Sequence, residues 1–145
     1  MKRKFVGSLA FLFIISLLSL GRDEPLDQLI AKADAASGTQ QVDLSIEVAN
    51  RELKLTLDAY KANNASQGRS SLEQIVKYSD KAHSAAIHSG KKIKHAEIRI
   101  RRISERLRDL KLNVDPDDQP VVQAAIDKLE SFRTELLKSM FGSKQ

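Results

Sequence analysis

The chain contains no cysteine and no tryptophan. The first absence removes disulfides, thiol nucleophiles and thiolate metal sites together, so stability has to come from packing alone. Aromatic residues make up only 5% of the sequence, which leaves an aliphatic core of the kind helical folds tolerate best. There is no G-x-S-x-G, no H-E-x-x-H and no phosphate-binding glycine loop. Nothing therefore joins a nucleophile, a base and an orienting group into one constellation, and the reading is non-enzymatic, with no cofactor and no metal.

What is present begins with a targeting pattern. Lys2, Arg3 and Lys4 form a basic start, and the run from Phe5 to Leu20 is apolar apart from Gly7, Ser8, Ser16 and Ser19. This is the layout of a secretory signal, with Ser19 and Gly21 as the small residues before a cut at Arg22. The rival reading is an uncleaved anchor, although the run falls short of the roughly 20 residues that cross hydrocarbon comfortably. In both readings the rest of the chain is exported, to the periplasm or the cell surface. Residues 1–21 are thus a signal peptide or N-terminal anchor, and residues 22–145 a single helical domain.

Helical periodicity runs through that domain. Pro25 opens a short first helix whose apolar positions are Leu26, Leu29, Ile30 and Ala33, stopping at Ser37-Gly38. From Thr39 to about Lys61, Val42, Ile46, Ala49, Leu53, Leu57 and Tyr60 mark one helix face. Val42, Leu44, Ile46 and Val48 also alternate as in a strand, but the stretch lacks a tight-turn signal. A helix there would be apolar on more than one side and sandwiched between neighbours.

Asn63 to Gly68 reads as a loop, with Ser70 and Glu73 as a capping box for the next helix. Its apolar register continues from Leu72 through Val76, Ser79, His83, Ala86, Gly90, Ile93, Ala96, Ile100, Ile103, Leu107 and Leu110 to Val114 without a slip. The spacing predicts one long central helix over 71–112, continuous or kinked at Gly90. Asp115 to Pro120 is a proline-bounded turn that caps a last helix along Val122, Ala125, Ile126, Leu129, Phe132, Leu136 and Met140, ending at Gly142. The expected fold is all-α, an antiparallel helical bundle.

The stretches LDQLIAKADAA (Leu26 to Ala36), HSGKKIKHAEIRIRR (His88 to Arg102) and VVQAAIDKLESFRTELLKSMFG (Val121 to Gly142) resemble parts of small, exported, uncharacterised helical proteins of environmental bacteria. The resemblance implies no activity and supplies no functional residues.

Candidate chemistry is sparse. His88 and His95 share a helix face two turns apart, roughly 10.5 Å, too far for one ion. Asp115, Asp117 and Asp118 lack the turn glycine of a calcium loop, and Ile126 stands where its bidentate Glu belongs, so helix capping accounts for them. Leu55-Thr56-Leu57-Asp58-Ala59 approaches the L-T-x-x-Q motif of periplasmic stress-sensor chaperones and misses its last position.

Charge is more informative. The net charge is +5, but three of the 24 basic residues belong to the N-terminal start. Residues 91–111 hold nine cations, namely Lys91, Lys92, Lys94, Arg99, Arg101, Arg102, Arg106, Arg108 and Lys111, against Glu97, Glu105 and Asp109. They wrap the arc opposite the Ile93–Leu110 seam and form the candidate anion-binding surface. Export makes nucleic acid the wrong partner, which leaves anionic lipid headgroups or envelope polymers. The expected function is an interaction or scaffold module of the envelope with a protein partner. Its alternatives are peripheral binding of anionic surfaces through the basic helix, or a chaperone-like role.

Overall fold

Pro25, with its φ preset and no N–H to leave unpaired, stands at the start of the first helix. The computed structural model describes residues 24–142. The basic start, the Phe5–Leu20 run and the Ser19–Gly21 cut lie outside those residues. Among the described residues there are five helices and no strand: α1 (Leu26–Ala35), α2 (Gly38–Lys61), α3 (Ala65–Ser89), α4 (Ile93–Lys111) and α5 (Gln119–Phe141).

The alternating stretch of α2 is helical. Val42, Ile46, Val48, Ala49 and Leu53 are all buried although they span more than one face, because α2 packs against α1, α3 and α4 at once. The loop after it is shorter than the sequence suggests. Asn64, not Ser70, caps α3, its side chain accepting a hydrogen bond from Gln67 N at 3.2 Å. The Ser70–Glu73 box is thus interior to a helix that starts at Ala65.

The long central helix is also corrected. Gly90 adopts a left-handed conformation with φ 67° and closes α3, its N–H donating to Ala86 O and Ile87 O. Lys92, also left-handed at φ 59°, precedes α4. A left-handed glycine after the last helical turn satisfies the terminal carbonyls and turns the chain away. The seam holds on α4, where Ala96, Ile100, Ile103, Leu107 and Leu110 are buried, but only in part on α3, where Leu72, Ser79, His83 and Ala86 are buried, Val76 is half-buried and the deepest side chains, Ile75, Tyr78 and Ala82, lie off the register.

Contacts fix the directions. Asp43 near the start of α2 meets Lys92 and His95 at the start of α4, so these two helices run parallel. Asp118, just before α5, meets Arg69 near the start of α3, and Glu135 near the end of α5 meets His83, so α3 and α5 also run parallel. The bundle is two antiparallel hairpins, α2–α3 and α4–α5, laid face to face, with α1 against α2 and α3. Its core is aliphatic, built on Leu29, Val42, Ile75, Ile100, Leu107 and Leu129 around one buried aromatic, Tyr78.

Candidate functional site

The candidate surface is carried by α4. Its register places Ala96, Ile100, Ile103 and Leu107 inward, and the residues between them must then face α5, α2 or water. Lys91, Lys92, Lys94, Arg101, Arg102, Arg106 and Arg108 are exposed, whereas Arg99 and Lys111 are half-buried.

The nine cations are not one set. Lys92 pairs with Asp43 of α2, Arg101 lies 3.9 Å from Glu97, Arg108 pairs with Glu130 of α5 at 2.9 Å, and Lys111 donates to Gln123 Oε1 at 2.7 Å. Lys91, Lys94, Arg99, Arg102 and Arg106 have no ion pair among the described residues. Arg99, Arg102 and Arg106 are three and four residues apart, so they share one flank of the helix.

Glu97 does not neutralise the arc as its sequence position suggests. It is only 6% exposed and turned toward α5, where Arg133 donates to its Oε1 through Nε at 3.0 Å and through a terminal nitrogen at 2.8 Å. Arg133 also donates to Glu130 Oε2 at 2.8 Å, and Ser104 donates to Glu130 Oε1 at 2.6 Å. Burial alone would lower the pKa of Arg133, but the two carboxylates outweigh it and hold the guanidinium above its usual value. For Glu130, too, burial opposes ionisation, and the bonds from Ser104 and Arg133 with the nearby Arg108 keep its pKa below the ordinary one. This cluster ties α4 to α5 and removes one carboxylate from the outer face. Glu105 and Asp109 remain on it, exposed and without an ion pair.

Other polar groups also serve to join helices. Asp34 of α1 accepts from Tyr78 Oη at 3.0 Å and from Lys81 Nζ. The bond from Lys81 holds the Asp34 carboxyl below its ordinary pKa, and burial pushes the Tyr78 hydroxyl up to about 12. Asp118, expected as a helix cap, makes no side-chain capping bond. It is 4% exposed and accepts from Arg69 Nε at 2.7 Å and Tyr60 Oη at 3.4 Å, closing the end of the bundle where the α2–α3 and α4–α5 turns meet. Nothing in the local pattern distinguishes it from Asp115 and Asp117, which are exposed.

The histidines are separate. His83 is buried, stacked on Phe132 with ring centroids 5.1 Å apart, and its Nε2 lies 2.7 Å from Glu135 Oε2 in a close approach not aligned as a hydrogen bond. His88 is exposed, and His95, also exposed, lies 3.7 Å from Asp43. Among the described residues no three His, Cys, Asp or Glu side chains come together to hold a metal. A shallow apolar groove of about 580 Å³, floored by Leu72, Val76, Val121 and Ala125, runs between α3 and α5. The sequence gives no sign of it, because its two walls lie in segments about fifty residues apart. No described helix is long and apolar enough to cross a membrane. No family model, curated protein or solved structure matches the chain.

Proposed function

We propose that the chain is an exported, non-enzymatic helical module of the cell envelope, and that its working surface is the basic outer face of α4, which binds anionic surfaces. The observation that carries this reading is the imbalance on that face. Lys91, Lys94, Arg99, Arg102 and Arg106 lack ion-pair partners among the described residues, while Glu97 is drawn inward by Arg133 and only Glu105 and Asp109 oppose them. A non-enzymatic role is supported by what the bonded polar groups do: the Asp34, Glu97 and Asp118 clusters each hold two or more helices together. Export is supported by the basic start and the Phe5–Leu20 run.

Two measurements test the reading. A reporter enzyme active only outside the cytoplasm, fused after Gln145, should be active, and Leu12→Arg with Ile15→Arg should silence it. Activity in that variant overturns export. The chain should also be retained on an immobilised soluble polyanion at low salt and released as the Debye length shrinks below about 10 Å above 0.1 M. Arg99→Gln, Arg102→Gln and Arg106→Gln together should abolish retention while leaving helicity intact, since Gln and Arg have similar helix propensity. A chain that is not retained, or a triple variant that is retained equally well, overturns the assignment of the surface.

A further inference from the structure

The last turns of α3 and α5 and the first turn of α4 meet at one end of the bundle, where Ile87 lines a shallow surface depression with Glu135, Lys138, Ser139 and Gly142. Two of the large apolar side chains exposed among the described residues lie there: Phe141 is 74% exposed and Ile87 39%. Three of the cations around them are unpaired. Lys91 in the α3–α4 turn, Lys94 in the first turn of α4 and Lys138 in the last turn of α5 are all exposed, with no ion pair among the described residues. Of the carboxylates at this end, Asp43 pairs with Lys92, and the exposed Glu135 lies against His83 without an aligned hydrogen bond, so the three lysines outnumber the one carboxylate that no lysine or arginine holds. The opposite end differs. Leu112 is even more exposed, at 80%, but it stands beside Asp109, Asp115 and Asp117, all exposed and none in an ion pair.

We infer that the end carrying Phe141, Ile87, Lys91, Lys94 and Lys138 docks on the surface of an anionic phospholipid bilayer. The inference rests on the reading of α4 as a surface for anions and names the partner. Phe141 and Ile87 enter the boundary between headgroups and acyl chains, while the three lysines, on stems long enough to reach outward, meet the headgroup phosphates. A soluble polyanion would satisfy the lysines and leave Phe141 in water. A bilayer satisfies both, because only there does a layer of negative charge lie directly over an apolar phase. Leu112 is excluded by its acidic neighbours, which an anionic surface repels.

The absence of tryptophan makes a local test direct. In the full chain, the indole emission of a Phe141→Trp variant should shift to the blue on mixing with phosphatidylglycerol–phosphatidylcholine vesicles. It should not shift with phosphatidylcholine alone or with a soluble polyanion. A Leu112→Trp variant should show no shift with any of them. Because the signal arises at residue 141, attachment of the chain through its N-terminal segment cannot imitate its dependence on anionic lipid. Lys91→Gln, Lys94→Gln and Lys138→Gln together should weaken the vesicle-dependent shift on the order of 100-fold in lipid concentration, and Phe141→Ser should weaken sedimentation with the anionic vesicles by roughly tenfold. A chain retained on the polyanion whose Phe141→Trp emission stays unshifted on anionic vesicles overturns the docking inference and leaves the wider reading standing. Failure on both supports overturns the two together. A blue shift that grows with protein concentration in the absence of lipid assigns the end to contact between copies and overturns lipid docking.

Discussion

Glu52 sits on α2 at 5% exposure, facing a helix interface with no cation to compensate it. Burial raises its pKa, and the Ser71 hydroxyl offsets that only in part. A carboxyl whose pKa is higher folded than unfolded binds its proton more tightly in the native state, so its contribution to stability falls as pH rises from the ordinary carboxylate value to the raised one. Glu52→Gln keeps the shape and removes the charge. It should therefore raise stability at neutral pH by about 1 kcal/mol and flatten the urea midpoint across that window. An unchanged or lowered midpoint at neutral pH would mean that the ionised form is stabilised by groups other than Ser71. Gly68 illustrates a second constraint at this scale. A Cβ there would lie 2.6 Å from the Tyr60 ring, so the missing side chain is what lets Tyr60 lie flat on α3 and reach Asp118.

The break between α3 and α4 belongs to the scale of elements. At Gly90 no atom beyond the glycine and its two chain neighbours lies within 4 Å of where a Cβ would stand, so space does not demand glycine there and the backbone conformation does. Gly90→Ala should cost about 1 kcal/mol, the price of a left-handed L-residue, as read from the thermal or urea midpoint. A gain in stability would instead indicate a helix continuous through residue 90. The unbroken register across Gly90 misled because a register records only the angle of each side chain about a helix axis. Both α3 and α4 turn their apolar stripes to the same core, and the short connection happens to keep the phase while the chain reverses direction. The second helix was legible for the opposite reason. Its competing strand pattern comes from a helix wrapped on several sides, and the lack of a turn signal at Ala49–Glu52 was sufficient to separate the two.

Across the molecule, carboxylates rather than apolar contacts alone register one element on another. Asp34 joins α1 to α3 and Glu130 joins α5 to α4, and both have folded pKa values below their ordinary ones. Groups depressed in this way contribute stability that is present above the unfolded pKa of about 4 and is lost as pH falls through the folded value. Stability should accordingly drop on acidification below the ordinary carboxylate range, and Asp34→Asn should reduce the steepness of that drop. The effect will be modest because Asp34 and Lys81 are partly exposed and solvent screens them. Denaturant midpoints measured across acid pH for both chains check this, and identical slopes would refute the role of Asp34. The outer face of α4 was visible as a run of nine cations, but which of them are available depends on partners that other helices bring.

The order of residues alone determined the helical class, the core-facing stripes of α4 and α5 and the concentration of positive charge between residues 91 and 111. These follow from local physics: the period of apolar side chains, prolines at helix starts and the composition of one segment. Tertiary structure decided the rest. It made two helices of one register at Gly90, turned Glu97 inward to an arginine 36 residues away, and buried Asp118 beneath Arg69 and Tyr60 while its neighbours Asp115 and Asp117 stayed in water. A carboxylate's surroundings are set by whichever helix packs beside it, and that neighbour lies too far along the chain for any local pattern to announce it.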